Sequence, residues 1–148
     1  MALNHRIALL LVRLSLGWVF FYAGITKVLQ PNWSAAGYLK GASSFPEFFA
    51  WLAQPGILPV VNFLNEWGLT LLGASLILGL FVRLSAPLGA VVMPLYYLAL
   101  PFPKPNPNAF IVDEHIVYIA VLLYLAAINA GKVVGLDRFV RFPWGRSS

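Results

Sequence analysis

The stretch 7–29, IALLLVRLSLGWVFFYAGITKVL, sets the class of this protein. Arg13 and Lys27 are its charged residues, and nearly every other position is apolar. As an α-helix the stretch is about 35 Å long, enough to cross a hydrocarbon core of about 30 Å. Arg13 interrupts the run early, the run is longer than a signal-peptide core, and no small-x-small cleavage pattern follows it. We therefore predict a retained membrane-spanning helix.

Three further apolar runs, at about 60–80, 84–100 and 113–129, follow the first. The few residues between the second and third runs leave room only for a tight reversal, so these two runs are expected to form an antiparallel hairpin. Of the 148 residues, 60% are hydrophobic and 10% are charged, whereas an ordinary soluble domain has about 25% charged residues. The sequence predicts an all-α fold in a single domain over 1–148, an integral membrane four-helix bundle with the lipid bilayer as its solvent.

The segment 30–59 between the first two runs is too long for a simple turn and too aromatic for a free linker. Ser44 and Glu47 have the spacing of a capping box, with Pro46 in the first turn of the helix that would follow. Phenylalanine and tryptophan come next, and tryptophan in particular is favoured at a membrane interface. We expect a short interfacial helical segment here, and an extended path for the proline-rich loop 101–107.

The cations of the loops indicate the orientation of the chain. With four spans both termini lie on one side of the membrane, and most loop cations fall on that side, whereas Lys40 and Lys104 fall on the other. The positive-inside rule then predicts a multi-pass protein of the cell membrane with both termini in the cytoplasm. The cations on the side of the termini are Arg6, Arg83, Lys132, Arg138, Arg141 and Arg146.

The residue types present exclude several kinds of cofactor and partner. The chain has no cysteine, which excludes iron–sulfur clusters, thiolate zinc sites and dithiol redox chemistry. Its two histidines, His5 and His115, are expected on opposite sides of the membrane, so we expect no haem held by two histidines. No recognised metal-ligand spacing joins Asp113, Glu114 and the other outer ligands, and the ten cations form no basic face for nucleic acid.

Ionisable residues within the spans are candidates for a site, because each costs a few kcal/mol in lipid unless it has a partner or a task. Arg13 and Lys27 share one face of the first helix, where Arg13 either bonds headgroups and nearby carbonyls or acts as an electrostatic partner. Glu66 reaches the depth of Lys27 and is either its ion-pair partner or a carboxyl that exchanges protons. His115 and Tyr118 lie one turn apart, either as solvated interfacial residues or as hydrogen-bond partners of a quinone head group.

These residues predict an outer, water-poor pocket that takes quinone as a substrate or bound acceptor. Glu66 and His115 are the candidate catalytic residues, acting as proton acceptors and donors. No metal is expected in the pocket. The candidate quinone-binding residues are Arg13, Lys27, Trp67, Glu114 and Tyr118.

The same residues carry a resemblance to a known family. The chain reads RLSLGWVFFYAGITKVLQPNWSAAGYL at 13–39 and NEWGLTLLGASLILGLFVR at 65–83, and Leu136 and Asp137 follow its last apolar run. This pattern resembles the DoxX and DoxD family of small four-helix membrane proteins. The stretch PNWSAAGYLKGA at 31–42 is more similar to the DoxD branch, the small subunit of thiosulfate:quinone oxidoreductase. The positions that match the family's pattern are Arg13, Gly17, Phe20, Gly24, Lys27, Glu66, Arg83, Leu136 and Asp137.

The resemblance implies oxidation of thiosulfate to tetrathionate at the outer face, with two electrons passing to a membrane quinone. Because nothing in the chain itself carries electrons, such a reaction needs a second oxidoreductase subunit or direct transfer between bound substrates. Our leading hypothesis is a quinone-interacting subunit of a membrane oxidoreductase. Two alternatives stay open: a non-catalytic scaffold that assembles redox or stress-response partners through its aromatic loop, and a small transporter with Glu66 as its coupling carboxyl. The expected protein partner is either a second oxidoreductase subunit or another copy of the chain in a homo-oligomer.

Overall fold

The computed structural model describes residues 2–101 and 110–140, and every regular element in these two ranges is helical. Most of the proline-rich loop and three of the cations used above for orientation, Lys104, Arg141 and Arg146, lie outside the described residues. The elements are α1 (Leu3–Val28), α2 (Ala36–Lys40), α3 (Pro46–Leu52), α4 (Leu58–Phe63), a π-helical turn (Leu64–Gly68), α5 (Leu69–Leu78), α6 (Val82–Ala99), α7 (Glu114–Ala127), α8 (Ala130–Val133) and a 3-10 turn (Leu136–Arg138).

Three helices in the described ranges are long and apolar enough to cross a membrane. They are α1, the continuous helix Leu58–Leu78 that comprises α4, the π-helical turn and α5, and α6. The helix α7 has 14 residues and rises about 21 Å, which is short of a hydrocarbon core of about 30 Å. The fold is therefore all-helical with three candidate spans, and these helix lengths do not confirm the predicted four-helix bundle.

The four longest helices pack in two neighbouring pairs, α1 along α5 and α6 along α7. Glycine lets the backbones of the first pair approach closely, since a Cβ atom at Gly73 would lie 2.2 Å from the backbone nitrogen of Phe21. Leu76 and Leu122 are fully buried in the core between the pairs. Large apolar side chains such as Leu71 and Val91 are more than 60% exposed, as expected for surfaces that face lipid.

The segment between α1 and α4 folds onto the end of α6. Leu39 and Phe49 are buried in a second, smaller apolar cluster with Ala99. The predicted short helix is present as α3, but the capping-box prediction was wrong: the helix begins at Pro46, and its N-cap is Phe45, which has a φ of 52° and no side-chain cap. The hydroxyl of Ser44 instead donates to the carbonyl oxygen of Leu100 at 3.0 Å, so this side chain fastens the segment to α6.

We name the two ends of the packed helices after one residue at each, the Arg13 end and the His115 end. At the Arg13 end Asp137 caps α6, since its carboxylate accepts hydrogen bonds from the backbone N–H groups of Phe81 at 2.7 Å and Val82 at 3.2 Å. Its own N–H donates to the carbonyl oxygen of Gly79 at 2.9 Å. One buried carboxylate therefore joins the C-terminal segment to the α5–α6 turn.

Candidate functional site

The His115 end is organised around the N-terminus of α7. Asp113 is the N-cap, and its carboxylate accepts hydrogen bonds from the backbone N–H groups of His115 at 2.9 Å and Ile116 at 3.3 Å. Its second oxygen lies 2.8 Å from Nδ1 of the His115 ring. A buried aspartate in front of an apolar helix forms this cap because its carboxylate satisfies the free N–H groups of the first turn.

The hydrogen bonds of Asp113 determine that Nδ1 of the His115 imidazole carries a hydrogen. Burial alone would raise the pKa of Asp113, but the hydrogen bonds from the His115 ring and from the backbone N–H groups of Ile116 and His115 outweigh burial and hold the pKa below its usual range. An ionised carboxylate only accepts hydrogen bonds, so the proton between the two side chains belongs to Nδ1. In the neutral form of His115 the Nε2 atom is then a hydrogen-bond acceptor, and in the charged form it is a donor.

Aromatic rings from three helices surround this imidazole. Tyr96 of α6 stacks on His115 with ring centroids 6.0 Å apart and planes 12° apart. Tyr118, one turn along α7, meets His115 edge-on at 6.3 Å, and Phe20 of α1 meets Tyr118 edge-on at 5.5 Å. The result is a run of flat side chains with polar groups at its edges, an environment suited to an aromatic or quinonoid ring.

The π-helical turn brings two polar residues of the second span to the same end. Asn65 accepts a hydrogen bond from the hydroxyl of Tyr96, and its amide donates to the carbonyl oxygen of Val61 at 2.8 Å. Glu66 is half-buried in the same turn, and its carboxylate has no hydrogen bond or ion pair with any residue in the described ranges. Single π-helical turns within α-helices occur frequently at functional sites.

Lys27 is held apart from Glu66. Its ammonium group donates to the carbonyl oxygen of Ala23 at 2.9 Å and lies 5.4 Å from the centroid of the Trp33 ring. Within the described part of the chain no carboxylate lies within 4.0 Å of Lys27, so the Lys27–Glu66 ion pair that the sequence allowed is not formed. Lys27 instead lies near the C-terminal end of α1, where a backbone carbonyl and an aromatic ring are its partners.

The segment that carries α2 covers the aromatic cluster. The hydroxyl of Tyr38 donates to the carbonyl oxygen of Tyr96 at 2.9 Å, and their rings lie 6.2 Å apart. Burial and the nearby charge of Asp113 raise the pKa of Tyr38, so its hydroxyl stays protonated and remains a donor. Asn62 of α4 accepts a hydrogen bond from the backbone N–H of Ala35 at 2.9 Å and fastens the start of the segment.

The other predicted site residues are Trp67, Glu114 and Arg13. Trp67 is 41% exposed, and Glu114 is exposed in the first turn of α7, where a carboxylate oxygen lies within 4.8 Å of a His115 ring nitrogen. Arg13 is buried at the opposite end, where Nη1 donates to the carbonyl oxygen of Ala130 at 3.3 Å. Arg13 and Lys27 are fourteen positions apart on α1, about 21 Å, so the structure does not bring Arg13 to the His115 end.

A metal ion does not fit the donor set at the start of α7. Asp113, Glu114 and His115 each place one possible ligand atom within 4.8 Å of the others. However, both oxygens of the Asp113 carboxylate already accept hydrogen bonds, one from the first turn of the helix and the other from the His115 ring. Coordination of a metal would break these bonds. Helix capping accounts for the geometry, and we assign no metal to it.

Comparison with known proteins identifies the family. The profile of the DoxX family matches residues 8–100, which is more than half of the chain. The chain belongs to the DoxX family. The DoxX match includes the three candidate spans almost completely, together with Lys27, Glu66 and Tyr96, whereas His115 and Tyr118 lie beyond it. It does not distinguish the DoxD branch within the family. Searches of curated proteins and of solved structures gave no match to this DoxX chain.

Sequence reasoning did not select Asn65 or Tyr96, and it did not assign a capping role to Asp113. Asp113 had a usable signal, since an aspartate immediately before an apolar helix is a common N-cap. Tyr96 lies on a third helix with no spacing relation to His115, and no sequence pattern marks a π-helical turn. The site of this DoxX protein is therefore more aromatic and less charged than the sequence predicted.

Proposed function

We propose that the His115 end binds the head group of a membrane quinone. The supporting observation is a set of three partly buried polar groups at this end. Nε2 of His115 and the Tyr118 hydroxyl lie at the aromatic rings, and the Glu66 carboxylate belongs to the π-helical turn whose Asn65 bonds Tyr96. None of these groups has a hydrogen-bond partner among residues 2–101 and 110–140. Unused hydrogen-bonding capacity next to flat apolar surface is the usual composition of a ligand site.

The side chains supply binding and proton transfer at stated atoms. Tyr96 and Tyr118 provide ring surface for the head group, and the Tyr118 hydroxyl is a donor for one of its oxygens. Asp113 fixes the Nδ1–H tautomer of His115 and compensates the positive charge when Nε2 takes up a proton. Glu66 is the second group that exchanges a proton, and both groups take up a proton from water before they donate it. Quinone reduction to quinol consumes two electrons and two protons, and the protonated forms of His115 and Glu66 donate one proton each.

The electrons must come from outside this chain. With no cysteine and no other electron carrier among its residues, the chain needs a partner subunit or a second substrate bound next to the quinone. In the thiosulfate:quinone version of the proposal, two thiosulfate ions lose two electrons and join as one tetrathionate, while the quinone and two protons become quinol. Membership of the DoxX family and the DoxD-like stretch 31–42 motivate this version.

We propose in addition that α7 and α8 together form a fourth span. The two helices and the residues between them, Glu114–Val133, rise about 30 Å if continuous, and the chain departs from helical geometry at Asn129, which has a φ of 50°. Four spans place both termini on one side, and the loop cations favour the cytoplasm for that side. Reporter fusions at the two termini test the orientation, and reporters on opposite sides would refute it.

Quinone retention by matched variants tests the binding proposal. The full chain and the variants His115→Ala and Glu66→Gln are purified from native membranes, and bound quinone is extracted and quantified. We expect each variant to lose about ten- to hundredfold in affinity, since a hydrogen bond to a charged group contributes about 1.5–3 kcal/mol. His5→Ala and Glu47→Gln are the matched controls, because each substitution removes the same kind of group from an exposed position outside the candidate site. Equal quinone retention in all five proteins would refute the proposal.

A scaffold function is the second candidate, and the surface of α3 favours it. Three aromatic side chains at this helix are well exposed, whereas Phe49 of the same helix is buried. They are Phe45, Phe48 and Trp51, at 63%, 44% and 49%. Such a surface suits either the membrane interface or a partner protein. Chemical crosslinking in native membranes, followed by purification under denaturing conditions, tests it. Recovery of the chain without crosslinked partners would contradict the scaffold reading.

A further inference from the structure

Three exposed cations converge at the Arg13 end. Arg83, Lys132 and Arg138 come from α6, α8 and the 3-10 turn, and all three are exposed. Each cation is next in the chain to a residue at the Asp137 carboxylate. Arg83 follows Val82, whose backbone N–H donates to this carboxylate at 3.2 Å. Lys132 follows Gly131, where a Cβ atom would lie 2.1 Å from the carboxylate, and Arg138 follows Asp137 itself. The fold therefore places the backbones of three cationic residues around one carboxylate.

The acid at the centre of this cluster does not neutralise the cations. The Asp137 side chain is 5% exposed, and its two oxygens accept the backbone N–H groups of Phe81 and Val82. It also faces the buried Arg13 guanidinium electrostatically. The remaining four acids of the sequence lie in α3, in the π-helical turn and at the start of α7, all elements of the His115 end. The surface at the Arg13 end is accordingly cationic.

Apolar side chains border the same cations. Phe139 is 69% exposed, and the Arg138 guanidinium lies 4.5 Å from the centroid of its ring. Leu84, one residue beyond Arg83 at the start of a candidate membrane span, is 65% exposed. An anion that carries acyl chains would contact both surfaces, whereas a free phosphate, a nucleic acid or an acidic protein would leave the apolar part unused.

We propose that Arg83, Lys132 and Arg138 bind the phosphate of an anionic membrane lipid, whose acyl chains lie along the exposed apolar residues Leu84 and Phe139. The lipid headgroup supplies the negative charge that this end of the protein lacks. The site is at the opposite end from the quinone proposal and shares no residue with it, so either proposal can fail without the other.

Lipid titration of the full chain tests this site. The protein is delipidated in a neutral detergent and titrated with phosphatidylglycerol or phosphatidylcholine, and bound lipid is counted by native mass spectrometry. A cation near an anionic headgroup changes binding by about fivefold, so each of R83Q, K132Q and R138Q should weaken phosphatidylglycerol binding by about fivefold and the triple variant by about a hundredfold. Lysine in place of Arg83 or Arg138 should retain most of the binding.

The matched control is R6Q, which removes an exposed cation from α1 about 10 Å further along the helix than Arg13. We expect R6Q to stay within twofold of the wild-type affinity, and far-UV circular dichroism verifies that each variant is folded. Equal binding of the two lipids, an effect of R6Q as large as that of R138Q, or displacement of phosphatidylglycerol by millimolar inorganic phosphate would each overturn the proposal.

Discussion

Replacing Asp137 with alanine should destabilise this protein strongly, although the residue is far from every candidate catalytic group. The carboxylate is 5% exposed and accepts two backbone hydrogen bonds, at 2.7 Å from Phe81 and 3.2 Å from Val82. These N–H groups belong to the N-terminus of α6, and they have no intrahelical acceptor. The substitution leaves both groups without their acceptor and removes the negative charge that faces the buried Arg13.

The size of the loss follows from these two effects. A hydrogen bond to a charged group contributes about 1.5–3 kcal/mol, and the Asp137 carboxylate accepts two of them. The charge that faces Arg13 adds less, because the two side chains form no salt bridge within 4.0 Å, so we expect a total of about 3–5 kcal/mol for Asp137→Ala. Asp137→Asn keeps one acceptor oxygen and loses the charge, and should cost roughly half as much.

Unfolding of the purified chain in mixed micelles, titrated with sodium dodecyl sulfate and followed by far-UV circular dichroism, measures these losses. Glu47→Ala is the control, since it removes an exposed acid from the first turn of α3 and should cost less than about 1 kcal/mol. Combining Asp137→Asn with Arg13→Met should cost about 1–3 kcal/mol less than the sum of the single changes. A loss below about 1 kcal/mol for Asp137→Ala, or strict additivity in the double variant, would refute this account of the Arg13 end.

Three further variants test the packing and the His115 end. Gly73→Ala should destabilise by about 1–3 kcal/mol in the same unfolding assay, because its Cβ atom would lie 2.2 Å from a backbone nitrogen of α1, whereas Gly68→Ala, with open space around it, should be neutral or slightly stabilising. The pKa of Asp113 is lowered by folding, so its stabilisation is present above about pH 4 and is lost as the pH falls through the folded pKa. Asp113→Asn should therefore be less stable than wild type at pH 7, and this difference should shrink as the pH falls below about 4; an unchanged difference at low pH would contradict the assignment. Tyr96→Phe removes the hydroxyl that bonds Asn65 and should cost about 1 kcal/mol, and an unaltered unfolding midpoint would show that this bond does not hold the π-helical turn.

The spanning helices could be predicted from the sequence because the signal is local and long. The runs at 7–29, 60–80 and 84–100 agree with α1, Leu58–Leu78 and Val82–Ala99 to within a few residues at each end. Lipid requires every backbone group to be bonded within the helix, so twenty apolar residues leave few other structures. The fourth run is different, since Asn129 adopts a left-handed conformation and α7 stops before it.

The short elements and the side-chain partners could not be predicted in this way. Ser44 has the sequence environment of a helix cap, but a carbonyl of α6 lies close enough in the folded chain to take its hydroxyl. Asp137 caps a helix that begins 55 positions earlier in the chain, and no local pattern connects the two. Contacts of this kind depend on the packing of whole helices, which a single sequence does not specify.

The two ends of the protein use their buried polar groups differently, and this difference favours the His115 end as the site. At the Arg13 end Asp137 caps α6 and Nη1 of Arg13 bonds a backbone carbonyl, while Nε of Arg13 is fully buried and has no partner among the described residues. At the His115 end Glu66 and Nε2 of His115 are partly buried and bond nothing within the described residues. The Glu66 and His115 groups are only partly buried, so water satisfies them in the absence of a ligand, whereas the fully buried Nε of Arg13 is out of its reach. Accessible polar groups next to aromatic rings support the proposal that a ligand binds at the His115 end, because a ligand there replaces water without having to break bonds that hold the helices together.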